Sequence, residues 1–552
     1  MPDGKRVYLF SEGDKDQKDL LGGKGANLAE MTNLGLPVPP GFIITTAACN
    51  DYNERGKRMP PGLMEEVRKA LRHVETATGK RFGDRRNPLL VSVRSGAKFS
   101  MPGMMDTVLN LGLNDDTLAG LIALTQNERF GYDAYRRFIM MFGDIVLASV
   151  ATRPSGAPLS LDRSRFEAMM EQMKEKRGVR QDTDLTADDL KALVDKYKAL
   201  VEKEWGKPFP SDPMKQLEMA IMAVFNSWMG KRAVDYRNYE RIPPTLGTAV
   251  NVQTMVFGNM GSDSGTGVAF TRDPSTGEDQ LYAEYLVNAQ GEDVVAGVRT
   301  PMKLEEWHKA DPANYDRFMA IARRIENHYR DLMDIEFTVE RGKLWILQCR
   351  VGKRTARAAV KIAVDMVAEG HISREEAIMR VPAASIDQLL LPRFDTKAKE
   401  EAVKDGRLLA RGLNASPGAA TGIAVFDADR AEELGKSGKH VVLVRPETTP
   451  DDVHGMLASK GILTARGGAT SHAAVVARGL GLPCVAGCES IRVNEAKRVF
   501  GVDGKVIKEN DAISIDGTSG EVFAGDIKTI DPDLRKEPEL KTLLGWADEI
   551  RR

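Results

Sequence analysis

At about 150 residues per folding unit, a chain of 552 residues holds three to four units rather than one core. Lys and Arg number 78 against 79 Asp and Glu, a net charge of -1 that excludes a chain-wide basic surface for nucleic acid and leaves any affinity for polyanions local. Hydrophobic residues at 42% and charged residues at 28% fit a folded globular protein; there is no signal-peptide pattern and no apolar run near the roughly 18 residues of a membrane span, and four scattered cysteines without a C-x-x-C pair predict a reducing, cytoplasmic setting.

Residues 1 to about 110 mix β-like runs with Gly-rich turns, among them 38–46 and 89–94, and predict an α/β lobe. From about 112 to 240 the pattern is helical: Leu190, Leu193, Val194, Tyr197 and Val201 recur at helical spacing behind the capping pattern Thr186-x-x-Asp189. Between 246 and 350 the β pattern returns, with Ser264-Gly-Thr-Gly-Val-Ala269 read as a Gly-rich loop before a strand. Asp334 to Arg350 reads as two strands around an Arg-Gly turn. After Arg354 two short helices form a connector, the first with Ala359, Ile362, Ala363, Met366 and Val367 on one face, the second opened by the box Ser373-x-x-Glu376. From about 407 to 525, apolar runs at 423–426, 440–445, 461–466 and 512–516, with a helix after 472, predict a second, smaller α/β domain. The tail from 526 to 552 reads as a charged linker ending in a helix from 540 with no further core to pack on.

The most informative stretch is Gly467-Gly-Ala-Thr-Ser-His472, which sets one histidine at a loop-to-helix junction. The glycines permit close backbone approach, and the N–H groups opening the helix would stabilise an anion held on His472. Neutral imidazole is a nucleophile near pH 7, and hydroxyls of Thr470 and Ser471 would donate to a phosphoryl group. The plain alternative is a capping turn with an incidental histidine. Lys24 between Gly23 and Gly25, Arg94 at a strand end and Arg137 are cations able to meet phosphate, or else solvated surface charges. Asp334 and Glu336, two apart on a strand, face one side and form a candidate site for Mg²⁺, with Gln348 and Arg350 on the facing strand; a polar sheet face is the alternative. The other histidines show no zinc-site spacing, and Cys484 and Cys488 read as buried packing residues.

The His472 segment resembles the phosphohistidine domain shared by pyruvate phosphate dikinase, phosphoenolpyruvate synthase and enzyme I of the sugar phosphotransferase system. Leu21-Gly-Gly-Lys-Gly-Ala-Asn-Leu-Ala-Glu-Met31, Ser100-Met-Pro-Gly-Met-Met-Asp-Thr107 and Ser264 to Glu278 resemble pyruvate phosphate dikinase in particular, and the resemblance covers essentially the whole chain. Ala469 departs from the Met common in that family.

The resemblance implies an ATP-grasp domain over 1–353 with a helical insert at about 112–240, a helical linker over 354–406, a swivelling phosphohistidine domain over 407–525, and 526–552 leading to a (β/α)₈ barrel that this chain is expected to lack. It implies that His472 takes a pyrophosphoryl group from ATP, releasing AMP, then passes the terminal phosphoryl to orthophosphate to give pyrophosphate. Pyruvate and phosphoenolpyruvate would react only with the barrel. Lys24, Arg94, Arg137, Thr266, Gly267, Gln348 and Arg350 are the implied ATP and phosphate ligands, Asp334 and Glu336 the implied Mg²⁺ ligands, and Thr470 the implied target of a regulatory kinase/phosphatase. Intact family members dimerise mainly through the barrel, so this chain is expected to be a monomer. A pyruvate, water dikinase and a non-catalytic nucleotide-binding phosphocarrier remain the alternatives.

Overall fold

The computed structural model describes residues 4–551 except 100, 102–104, 297–300, 384–385, 387–388, 390–392, 469 and 531–536, and only the backbone of Tyr239, Glu292, Val295 and Ala296. Part of the Ser100 to Thr107 segment and Ala469 therefore lie outside the described residues. The chain divides into two compact units, Met1–Asp263 with Trp345–Gln348, and Ser264–Leu344 with Cys349–Arg552.

The first unit is built on an antiparallel sheet of β1 (Val7–Leu9), β2 (Gly41–Ile44), β3 (Val91–Gly96), β4 (Thr107–Leu111) and β5 (Ala249–Thr254), in the order β1-β2-β5-β3-β4. β2 and β5 are buried along their whole length, which is why β2 reads as an unbroken apolar run. Helix α1 (Lys18–Asn33) is interrupted at Gly22, whose φ is +68 and whose missing Cβ would stand 1.8 Å from the Gly96 carbonyl oxygen. Gly23 N–H donates to Ala97 O at 2.8 Å, so the Gly-Gly pair clamps the start of α1 to the end of β3. Lys24 rides on the helix just past this break.

Between β4 and β5 the described residues are mainly helical, including α2 (Glu128–Met141), which runs on into a π-helical turn over Phe142–Leu147, and α3 (Ala187–Trp205). The cap of α3 forms as its pattern requires: Asp189 N–H donates to Thr186 Oγ1 at 3.3 Å and Thr186 N–H to Asp189 Oδ2 at 3.2 Å. The apolar stripe Leu190, Leu193, Tyr197 and Val201 is buried.

A four-stranded sheet follows, made of β6 (Gly265–Phe270), β7 (Tyr282–Val287), β8 (Met333–Glu340) and β9 (Lys343–Val351), ordered β9-β8-β6-β7. Here the sequence expectation fails at one point: the Gly-rich stretch is not a loop before a strand but the strand β6 itself. Its glycines answer to packing, since a Cβ on Gly267 would meet the Phe337 ring at 2.4 Å and one on Gly265 the Tyr285 hydroxyl at 2.3 Å. The β8–β9 hairpin turns through Arg341 and Gly342, both left-handed with φ 47 and 72, as a two-residue hairpin turn demands. Ile335, Phe337 and Val339 are buried on one face of β8, with the Phe337 ring 4.2 Å from that of Phe318 on α4 (Pro312–Tyr329). That leaves Asp334 and Glu336 on the other face.

The connector helices are α5 (Ala356–Ala368) and α6 (Arg374–Arg380), the latter capped by Ser373, whose hydroxyl accepts from Glu376 N–H at 3.1 Å. An eight-stranded sheet follows, made of β10 (Leu408–Arg411), β11 (Leu413–Ser416), β12 (Ala419–Val425), β13 (Val441–Arg445), β14 (Gly461–Thr464), β15 (Cys484–Ala486), and, after a three-stranded sheet of β16 (Arg492–Asn494), β17 (Val499–Val502) and β18 (Lys505–Lys508), β19 (Ala512–Asp516) and β20 (Glu521–Ala524). Strands β12, β13, β14 and β15 are mutually parallel in that order, and helix α7 (His472–Leu480) connects the last two. Phe500, Val502 and Ile507 from the three-stranded sheet share a core with Val442, Val444, Leu463 and Val485.

The tail differs from its expectation. Helix α8 (Pro538–Arg551) does find a core: Leu540 and Leu543, three apart on one face, are 2% and 4% exposed against the apolar side of α5 and α6. Arg374 Nη1 donates to Glu549 at 3.1 Å beside this contact. No helix among the described residues is long and apolar enough to cross a membrane.

Candidate active site

His472 is the first residue of α7, preceded by Ser471, whose hydroxyl accepts from Ala474 N–H at 3.5 Å as the N-cap. Gly467, with φ +113, makes the turn that brings the chain into the helix. The loop follows β14, and the loop after the neighbouring parallel strand β13 carries Thr448. Loops at the carboxyl ends of adjacent parallel strands converge, and here Thr448 Oγ1 comes within 3.0 Å of His472 Nδ1. With Nδ1 engaged by the hydroxyl, Nε2 is the ring nitrogen available for chemistry. In the tautomer with the proton on Nδ1, donated to Thr448 Oγ1, Nε2 carries the ring's lone pair; in the other, the hydroxyl donates to Nδ1. Thr448 was absent from the sequence reading; its only signal was a Thr-Thr pair at the end of an apolar strand.

The hydroxyls expected to meet a phosphoryl group are otherwise engaged in this arrangement. Ser471 caps the helix, and Thr470 Oγ1 donates to Glu284 Oε2. Glu284 sits on β7, also unrecognised from sequence, and its carboxylate lies against Gly468, where a Cβ would fall 2.5 Å from one oxygen and 2.7 Å from the other.

Strand register shows what else lies on that face. Glu284 pairs with Val268 and Val268 with Glu336, while Tyr282 pairs with Phe270 and Phe270 with Asp334. Directly paired residues point the same way, so Glu284, Glu336 and Asp334 share one face, the outer two strands about 10 Å apart. Asp334 is 3% exposed, with Oδ2 accepting from Arg350 Nε at 2.7 Å. Burial raises its carboxyl above the usual range and Glu336 adds to the rise, against the pull of Arg350. Its second oxygen, Oδ1, is buried and takes no hydrogen bond among the described residues. Two carboxylates on one strand face, one with an uncommitted buried oxygen, fit a hard divalent cation that takes its remaining ligands from a polyphosphate. No group of three or more His, Cys, Asp or Glu able to hold a metal by itself occurs among the described residues. Thr266, in the adjoining row, donates its hydroxyl to Phe337 O at 3.0 Å and so belongs to the sheet's own bonding.

In the first unit, Lys24 and Arg94 are brought together by the Gly22–Gly96 clamp. A Cβ on Gly96 would stand 3.3 Å from Lys24 Cβ, and Arg94 is two residues earlier on the same strand. Arg94 lies within β3 rather than at its end. Opposite it in register is buried Asn251, which donates to Arg94 O at 3.3 Å and stands against Gly25 and Gly96. Arg137 is on α2, its Nε donating at 3.1 Å to buried Asp133, which also takes Arg136 Nε at 2.8 Å. Gln348 is 3% exposed on β9. Cys484 and Cys488 are fully buried free thiols, Cys484 pushed up to about 12 by burial, as packing residues should be.

Comparison with known proteins matches the chain to two family descriptions. "Pyruvate phosphate dikinase, AMP/ATP-binding domain" matches residues 18–60, 55–313 and 307–371, and "PEP-utilising enzyme, mobile domain" matches 437–520. The chain is 53% identical over 552 residues to pyruvate, phosphate dikinase 1, chloroplastic, of Oryza sativa subsp. japonica, covering 99% of this chain and 56% of that protein. It is 52% identical to pyruvate, phosphate dikinase of Rhizobium meliloti (strain 1021) and 51% identical to that of Clostridium symbiosum, covering 99% of this chain and 61% of each relative. The chain thus spans somewhat over half the length of the curated relatives it matches. On the match of more than half its residues to one family description, and on identity above half across nearly all of it, the chain belongs to the pyruvate phosphate dikinase family.

Proposed function

We propose that this chain carries the ATP and orthophosphate half of pyruvate phosphate dikinase chemistry, with residues 1–353 as the ATP-grasp domain, 354–406 as linker and 407–525 as the phosphohistidine domain. The observation that carries the reading is His472 at the opening of α7 with Nδ1 held by Thr448, on a loop seated on the sheet face that bears Asp334 and Glu336.

In the proposed reaction His472 Nε2 attacks the β-phosphorus of ATP. The bond from that phosphorus to the α,β-bridging oxygen breaks, AMP leaves, and the histidine holds a pyrophosphoryl group. An oxygen of orthophosphate then attacks the terminal phosphorus, the remaining bridge breaks, pyrophosphate leaves, and one phosphoryl stays on Nε2. The Nδ1 proton remains with Thr448 throughout, holding the ring in the reactive tautomer. Lys24, Arg94, Arg137, Gln348 and Arg350 are the proposed phosphate ligands, with Thr266 and Gly267 contributed by β6. Asp334 and Glu336 would hold Mg²⁺, which when bound offsets charge on the β- and γ-oxygens. Transfer to pyruvate, giving phosphoenolpyruvate, is assigned to a barrel not within these residues, and this chain alone is proposed to be monomeric. Its free cysteines suit a reducing compartment. Phosphorylation of Thr470 would set a doubly charged group beside Glu284, which supports a regulatory role for that hydroxyl.

The test is incorporation of label from β-labelled ATP with Mg²⁺ and orthophosphate. Acid-labile label in the unmodified chain, absent in His472→Asn, with AMP and pyrophosphate as products, is the expected result. Release of the γ-phosphoryl of ATP as orthophosphate, with no pyrophosphate formed, would instead mark a water-using dikinase, and ATP binding without labelling a carrier module.

A further inference from the structure

The contact between Thr470 and Glu284 joins two separately matched regions of the family: Glu284 lies within residues 55–313 of the nucleotide-binding match and Thr470 within residues 437–520 of the mobile-domain match. A mobile segment that visits one site and leaves it needs a contact that holds it there long enough to react. The contact also has to be local enough to break.

Three positions of the His472 segment land on the four-stranded sheet. Gly468 lies against both carboxylate oxygens of Glu284, so that a side chain there would have to displace the carboxylate. Thr470 is 4% exposed and gives its hydroxyl proton to Glu284 Oε2, while Tyr282 OH stands 3.4 Å from Oε1. Arg478, one helix turn and a half further along α7, is 1% exposed, donates to Ala415 O at 3.0 Å and places its guanidinium carbon 5.8 Å from the centre of the Phe270 ring. Phe270 and Val268 are the β6 residues between Glu284 and Tyr282 on β7 and Asp334 and Glu336 on β8, so these contacts seat the loop on the carboxylate-bearing face.

We propose that Glu284 is the positioning residue for the histidine loop: its carboxylate accepts the Thr470 hydroxyl, lies against Gly468, and thereby holds the loop bearing His472 on the ATP-side sheet. This rests on the reading of His472 as the group that takes phosphoryl from ATP. In this account Glu284 acts through the loop rather than on the nucleotide. A hydrogen bond to an ionised acceptor is worth a large factor in occupancy of the seated state, roughly 10- to 100-fold. The same factor appears in the rate of phosphoryl uptake if seating precedes transfer.

The experiment uses the full chain, its Glu284→Ala and Thr470→Val variants and the double variant. Backbone hydrogen–deuterium exchange over 467–480 should rise in Glu284→Ala while exchange over β6 and β8 stays as in the unmodified chain; unchanged exchange over 467–480 overturns the proposal, whether or not the chain labels. Single-turnover labelling from β-labelled ATP should fall roughly 10- to 100-fold in each single variant and no further in the double, with affinity for a non-hydrolysable ATP analogue within about twofold of the unmodified chain. Losses that multiply in the double variant, or undiminished labelling in Glu284→Ala, also overturn it. An unmodified chain that binds the analogue but never labels refutes the phosphohistidine reading instead, and the exchange result then decides the seating contact by itself.

Discussion

Thr448 Oγ1 stands 3.0 Å from His472 Nδ1, across the gap between two loops that leave adjacent parallel strands at the same end of the sheet. The contact engages Nδ1 rather than Nε2, through a hydroxyl that belongs to another loop.

Thr448→Val removes that partner while conserving shape. The loss of a neutral hydrogen bond, about 1 kcal/mol, lowers the population of the reactive tautomer and slows phosphohistidine formation by about fivefold. Rapid-quench labelling checks this, with the thermal unfolding midpoint close to that of the unmodified chain. An unchanged rate would show that Nδ1 needs no partner.

Gly22→Ala strikes the clamp between α1 and β3. Its φ of +68 and the 1.8 Å approach to Gly96 O leave no room for a methyl group. The start of α1 must move away from β3, taking Lys24 from its place beside Arg94. Binding of a fluorescent ATP analogue should weaken at least tenfold, against a strain of more than about 1 kcal/mol. Affinity equal to that of the unmodified chain would remove Lys24 from the set of phosphate ligands.

Asp133 holds two arginines in the helical region and is itself 4% exposed. Burial alone would raise its carboxyl, but Arg136, Arg137 and Arg129 outweigh burial and hold it well below the usual range. A depressed folded value means stabilisation that is present above the unfolded value, about 3.9, and is lost as pH falls through the folded one. Asp133→Ala, removing the buried carboxylate that Arg136 and Arg137 share, should destabilise the first unit by about 3–5 kcal/mol at pH 7. Urea unfolding should show the variant's deficit shrinking as pH drops below about 4.

Asp144, in the π-helical turn, has the opposite sign. Burial is the main cause of its rise, Arg163 opposes it and Asp106 adds to it, and the carboxyl is pushed up to about 6. A raised carboxyl favours the fold when protonated, and that contribution is lost as pH climbs through about 6. Asp144→Asn should therefore gain thermal stability relative to the unmodified chain at pH 8, keep about half of that gain at pH 5 and lose most of it by about pH 4. A difference independent of pH would place the carboxylate in a solvated or fully compensated setting.

Features written within a few residues of one another were legible from the chain itself. The cap of α3 at Thr186 and Asp189, the single-faced pair Asp334 and Glu336, the Arg341-Gly342 turn and the junction carrying His472 all depend on helical or strand periodicity and on backbone freedom at glycine, which act over one turn or one hairpin. The misread stretch, Ser264 to Ala269, fails for the same reason: its glycines look like a flexible loop until the Phe337 ring and Tyr285 hydroxyl that require them are seen, and those lie on other strands. The tail helix likewise reads as unpartnered until Leu540 and Leu543 meet α5 and α6. Thr448 beside His472, Asn251 against Arg94 and Gly25, and Glu284 beneath Thr470 are separated from their partners by 24 to 226 positions of chain. Which side chains meet over such distances is set by strand order and register, through the burial of whole sheet faces, and no local pattern of residues carries that information.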